Sequence, residues 1–208
     1  METKNTTPYS ILAKPVNDHV KENPRVYSIL ELYFKVNHLK QLYRQGWLKK
    51  GRDIPKEYCE SVADHNFGTI FLAVIFRDRF FPRLDCLTVL LMLTMHECGE
   101  TGKLGDVTPS DKVSPEEKHR QERACVVELF KDLPGGERYV ALWDEFEEQK
   151  TPEAIFAREM DMLERTLQAK IYDLQHKKDL SAFVEEAFVR LGNNPYYSEF
   201  ILRLTDVM

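Results

Sequence analysis

The chain has 208 residues, 43% of them hydrophobic and 30% charged, with a formal net charge of −5. These proportions suit a globular protein, and the negative total argues against a nucleic-acid polymer as partner. The most apolar run, Leu87 to Met95, is too short for a membrane span and lies between Asp85 and His96.

Residues 1–25 are polar and interrupted by Pro8, Pro15 and Pro24, so they read as an N-terminal arm ahead of a domain over 26–208. They lack the basic-then-apolar order of a signal peptide. From Val26 through Tyr43, apolar residues recur at spacings of three and four, which predicts a helix ending near Arg44–Trp47 with Gly46 as its stop. A basic turn, Lys49 to Arg52, follows. Ser61 and Asp64 fit a capping box and start a helix towards Phe76, with His65 in its first turn. Asp85 caps the next helix, apolar nearly all round through Met95 and so expected to be buried. His96, Glu97 and Glu100 emerge at its C-terminal end, before glycines 99, 102 and 105 break it.

Ser114-Pro115-Glu116-Glu117 starts another helix, which runs to about Leu133, where Pro134-Gly135-Gly136 stops it. Glu137–Glu148 makes one more. Thr151-Pro152-Glu153 opens a long helix through Asp161 to about Leu174, and Asp179–Leu191 and a short terminal helix complete the chain. With no strand pattern and no repeat, the expected class is all-α, a single-domain helical bundle. The scattered Cys59, Cys86, Cys98 and Cys125 form no CxxC pair and read as reduced thiols of a cytoplasmic protein.

His65, His96, Glu97 and Asp161 are four potential ligands in three separated helical pieces. Two imidazoles and two carboxylates suit one divalent cation, and such a cation suits metal-assisted hydrolysis. On an α-helix His96 and Glu100 share one face, and Glu97 projects about a quarter-turn away. Taken singly, each piece has an ordinary reading. Arg44 reads equally as a cation at a helix C-terminus, Trp47 as packing at a turn, Glu100 as a helix-terminal charge and Cys98 as packing.

Six ordered segments carry a resemblance that covers roughly Val26 to Gln175: Arg44-Gln-Gly-Trp47, Glu60-Ser-Val-Ala-Asp-His65, His96-Glu-Cys-Gly-Glu100, Gly105-Asp106-Val-Thr-Pro109, Trp143-Asp-Glu-Phe-Glu147 and Thr151-Pro-Glu-Ala154 leading to Asp161. Together they resemble the HD-domain metallophosphohydrolases, and within them the 5′-deoxynucleotidase branch. The resemblance implies a phosphomonoesterase acting on small nucleotides, a homodimer, and one divalent transition-metal cation (Mn, Co, Fe or Zn) held by His65, His96, Glu97 and Asp161. It implies that Arg44 grips the substrate phosphate and Trp47 sits beside the nucleotide. Glu100 would orient or deprotonate the attacking water, and Asp106 would act near the leaving sugar oxygen. Two departures stand out. Glu97 replaces the aspartate that gives the family half its name, and the segment from Glu100 to Asp106 is about one residue longer than usual.

Two other readings compete. A zinc-peptidase HExxH helix would need His at position 100, where this chain has Glu. A nucleotide-binding or scaffold protein of the same fold, with turnover weakened through Glu97, would bind nucleotide but release no phosphate.

Overall fold

The computed structural model describes residues 24–49, 51–102, 105–106 and 113–206; of the expected arm it includes only positions 24 and 25. The described residues are helical apart from their connections, and their one β-type pairing is an isolated antiparallel bridge between Tyr43 and Ser61. The all-α expectation therefore holds.

The first helix is shorter than its apolar spacing predicts. α1 spans Pro24–Val36, the winding tightens to 3₁₀ over Asn37–Lys40, and the chain then extends before a single turn, α2 (Gln45–Leu48). The extension has a partner: Arg44 N–H donates to the Glu60 carbonyl (3.1 Å) and Val62 N–H to the Leu42 carbonyl (2.8 Å). These cross-chain bonds satisfy backbone groups that a continuous helix would have paired internally. Gly46 thus lies within α2 and does not stop a longer helix.

α3 (Val62–Phe80) starts at the expected capping box and ends one turn beyond Phe76. The Ser61 hydroxyl accepts from Asp64 N–H (3.1 Å) and the Asp64 carboxylate accepts from Ser61 N–H (2.9 Å). α4 (Cys86–Met95) is capped by Asp85, which accepts from Thr88 N–H. It buries Val89, Met92 and Leu93 but leaves Leu87 60% exposed, so its apolar girth is only partly used. α5 (Pro115–Phe130), α6 (Glu137–Glu148), α7 (Pro152–His176), α8 (Ser181–Leu191) and α9 (Pro195–Asp206) follow. The Ser114 and Thr151 hydroxyls cap α5 and α7, each with proline in the first turn.

α7 is the spine of the core. Its Ala157, Met160 and Leu163 pack with Ala73 and Phe76 of α3, Met92 and Leu93 of α4, Phe146 of α6 and Tyr197 and Ile201 of α9. Full burial of a side chain such as Leu163 contributes about 1.5–3 kcal/mol. α3 and α7 approach closely at Gly68, where an added Cβ would lie 2.6 Å from Glu164 Oε1. That approach brings the start of α3 and the middle of α7 beside the end of α4.

Candidate metal centre

His65, in the first turn of α3, is fully buried. Its Nδ1 is hydrogen-bonded to the Glu164 carboxylate. Its Nε2 faces Asp161 Oδ1 at 3.1 Å and Glu97 Oε1 at 3.4 Å. His96 stands where α4 tightens into a 3₁₀ segment, His96–Thr101. Its Nδ1 donates to the Leu93 carbonyl at 2.7 Å, which turns Nε2 inward. That Nε2 is buried and has no hydrogen-bond partner among the described residues. Glu97 Oε1 lies 3.5 Å from it and accepts from Arg44 Nη1 at 2.9 Å. Asp161, on α7, accepts from Arg158 at 3.3 Å through its other oxygen.

One donor atom from each of His65, His96, Glu97 and Asp161 lies within 4.8 Å of the other three. The donor set fits a divalent cation. A buried imidazole nitrogen with no partner is costly unless something accepts its lone pair, and backbone and carboxylate partners on the far nitrogens orient both rings as metal-binding histidines require. Burial lowers the His96 imidazole and keeps it in the neutral form that ligates. Burial and the Arg44 charge also press His65 downward, but its hydrogen bonds to Asp161 and Glu164 carry it up to about 10. Burial presses Asp161 upward, yet the His65 hydrogen bond and nearby charges hold it well below the usual carboxylate range. The pocket is rich in negative charge and favours a cation at its centre.

Glu100 is placed differently from the expectation. In a 3₁₀ turn residues three apart eclipse, so Glu100 aligns with Glu97 and not with His96. It is 4% exposed, with one oxygen buried and unpartnered among the described residues, and burial together with the Glu97 and Asp106 charges raises its carboxyl well above the ordinary value. The Asp106 carboxylate accepts from Gln45 N–H, beside Arg44. Burial opposes the Arg44 charge, but Glu97, Glu100, Asp106 and Asp161 surround it and hold it on. Trp47 is only 3% exposed; its indole N–H donates to Glu60 (2.8 Å) and its ring packs on Tyr172 and Phe183. It serves as a wall with an edge on the cavity.

Arg44, Trp47, His96, Glu97, Glu100, Asp106 and Asp161 line one cavity of about 550 Å³, joined by Lys118, His119 and Glu122 of α5 and Arg158 and Arg165 of α7. Sequence reasoning missed Glu164, the partner of His65, although its place three residues after Asp161 puts it on a neighbouring part of the same helix. It also gave Glu60 no role. That carboxyl is pushed up to about 7 by burial and the Glu164 charge.

An all-α bundle that converges two imidazoles and two carboxylates from three helical segments is the arrangement expected of a helical metallohydrolase. The chain belongs to the HD-domain family, which matches it over residues 36–195. It is 35% identical over 153 residues to the 5′-deoxynucleotidase HDDC2 of Xenopus laevis, covering 73% of this chain and 72% of that one. It is 30% identical to the protein of the same name from Dictyostelium discoideum, covering 83% and 94%. A conserved hypothetical protein of Pyrococcus furiosus has a similar structure, with a TM-score of 0.70 and 25% identity over 86% of this chain and 99% of that one.

Proposed function

We propose that the chain is a metal-dependent phosphomonoesterase that releases phosphate from 5′-deoxynucleoside monophosphates, with His65, His96, Glu97 and Asp161 as the metal ligands. The observation that carries this reading is the convergence of those four donor atoms within 4.8 Å, one of them a buried imidazole nitrogen without a partner among the described residues. The names of the relatives support the substrate class. A divalent cation bound there supplies the Lewis acidity that makes attack of water on phosphorus feasible near neutral pH.

The chain's own residues do the rest. Arg44 presents a guanidinium fork to the phosphate and offsets its charge. Glu100, whose carboxyl takes up protons more readily than an ordinary one, orients the attacking water and accepts its proton. Asp106 stands near Arg44 and serves the leaving 5′-oxygen. The enclosing walls, Trp47 among them, exclude bulk water.

The test is phosphate release from a panel of deoxynucleoside and ribonucleoside 5′-monophosphates by chelator-treated protein reloaded with Mn²⁺ or Co²⁺. Release that depends on the metal and is lost in Asp161→Ala supports the enzyme. Nucleotide binding without release under any metal supports the weakened binding protein, for which the tight Arg44–Glu97 pair is the motivating contact.

The same reading takes residues 26–208 as the catalytic domain. It also takes the chain as a homodimer, supported by the exposed Phe67, Phe71 and Ile75 along one line of α3. The free thiols of all four cysteines support a cytoplasmic setting. No helix among the described residues is long and apolar enough to cross a membrane.

A further inference from the structure

One end of the cavity holds two arginines that the proposed hydrolysis leaves without a task. Arg52, from the basic turn after α2, and Arg165, one turn past Asp161 on α7, line it together with Gly46, Trp47, Phe183 and Glu186. Both guanidinium groups sit over the Phe183 ring, at 4.8 and 5.5 Å from its centroid. Packing on an aromatic face stabilises one cation. A second at the same ring adds repulsion, and burial and the Arg165 charge together lower Arg52 below the ordinary arginine value.

Counter-charge is short at this end. Arg52 donates to the Gly46 carbonyl at 2.8 Å and has no carboxylate within ion-pair distance among the described residues. Glu186 is shared, lying 3.1 Å from Arg165 and 3.5 Å from Arg190. Arg165 Nε is buried without an acceptor among the described residues. A buried arginine donor left unpaired is destabilising, and an anion arriving from solution would pair it.

A nucleobase or a hydroxyl, both neutral, does not offset surplus positive charge. A phosphoryl group does, and the guanidinium fork matches its oxygens. Along α7 the four steps from Asp161 to Arg165 rise about 6 Å, the scale of one sugar ring. We propose that Arg52 and Arg165 form a second anion subsite that receives a 3′-phosphoryl group on the nucleotide whose 5′-phosphate meets the metal centre. The proposal rests on the 5′-nucleotidase reading of that centre. In the reaction, water attacks the 5′-phosphorus, the bond from phosphorus to O5′ breaks, and O5′ takes a proton. Inorganic phosphate leaves, and the 3′-phosphoryl group is unchanged.

The test uses the full chain loaded with Mn²⁺ and three substrates: deoxyadenosine 5′-monophosphate, deoxyadenosine 3′,5′-bisphosphate and a 5′-phosphorylated deoxyadenosine dinucleotide. The bisphosphate should exceed the monophosphate in kcat/KM by about tenfold or more, chiefly through KM, as charged hydrogen bonds to a second phosphate require. Arg52→Gln combined with Arg165→Gln should bring that ratio to within about threefold of unity. Should the double variant fail to fold, Arg52→Gln alone should lower the ratio. The dinucleotide separates two sources of the same group: a rate matching the bisphosphate shows that a phosphodiester suffices, and a lower rate assigns the subsite to the free bisphosphate.

A wild-type ratio near unity, or one that the variants leave intact, overturns the subsite while hydrolysis of the monophosphate still stands. If no nucleotide is hydrolysed, the proposed function fails, and calorimetric binding decides the subsite. Tighter binding of the bisphosphate that the variants abolish retains it; equal affinities reject it.

Discussion

Glu97 Oε1 lies 2.9 Å from Arg44, 3.4 Å from His65 and 3.5 Å from His96. One oxygen therefore joins the Arg44 guanidinium to both imidazoles, at a reach set by the longer side chain. Glu97→Asp withdraws that oxygen by one methylene, and metal affinity measured by chelator competition should fall about tenfold. Unchanged or tighter binding would show that the pocket is not fitted to glutamate. Glu164→Ala leaves His65 Nδ1 without its acceptor, and affinity should drop about 10–100-fold; metal content as tight as wild type would remove Glu164 from the site. The proposed ligands could be singled out because two histidines and their acidic neighbours fall in ordered segments. Glu164 and Glu60 could not, because a glutamate among many carries no mark of burial in one sequence. The α-helical spacing that would put His96 and Glu100 on one face does not apply there, because the winding tightens from His96 to Thr101.

Between elements, one close constraint is Gly68 of α3 against Glu164 of α7. Gly68→Ala places a methyl group 2.6 Å from a carboxylate oxygen that must then swing away or push the helices apart. The expected cost is about 1–3 kcal/mol in urea unfolding, with weakened metal binding alongside; a neutral result would mean that the Glu164 side chain yields freely. A second constraint joins α7 to α9, where Tyr197 donates to the Glu159 carboxylate at 2.7 Å. Burial raises that carboxyl above its ordinary value against the lowering effect of this bond. Its contribution to stability is therefore full below the ordinary glutamate value and is lost as pH rises through the raised native one. Glu159→Gln keeps an acceptor without the charge, so its stability relative to wild type should improve on going from acid towards neutral pH, read by urea unfolding across that range. A constant difference would refute the buried-charge account. Helix starts were readable, since Ser61, Asp85, Ser114 and Thr151 cap where their sequences say. The break after Val36 was not, because it depends on backbone pairing with Glu60 and Val62, far along the chain.

Over the whole molecule, α3 leaves Phe67, Phe71 and Ile75 exposed to 73%, 62% and 52%, four residues apart. Surfaces of this kind mark association sites. Phe71→Asp should shift sedimentation from dimer to monomer, and a monomeric wild type at micromolar concentration would dismiss the homodimer. The centre joins the first turn of α3, the tail of α4 and the middle of α7. An ion there ties the fold as well as the chemistry, so stripping it should lower Tm; saturation at 100 times Kd corresponds to about 2.7 kcal/mol. A cell deprived of that ion would then lose more than a reaction. The catalyst itself would loosen and become prey for proteases, making the abundance of the protein a gauge of metal supply.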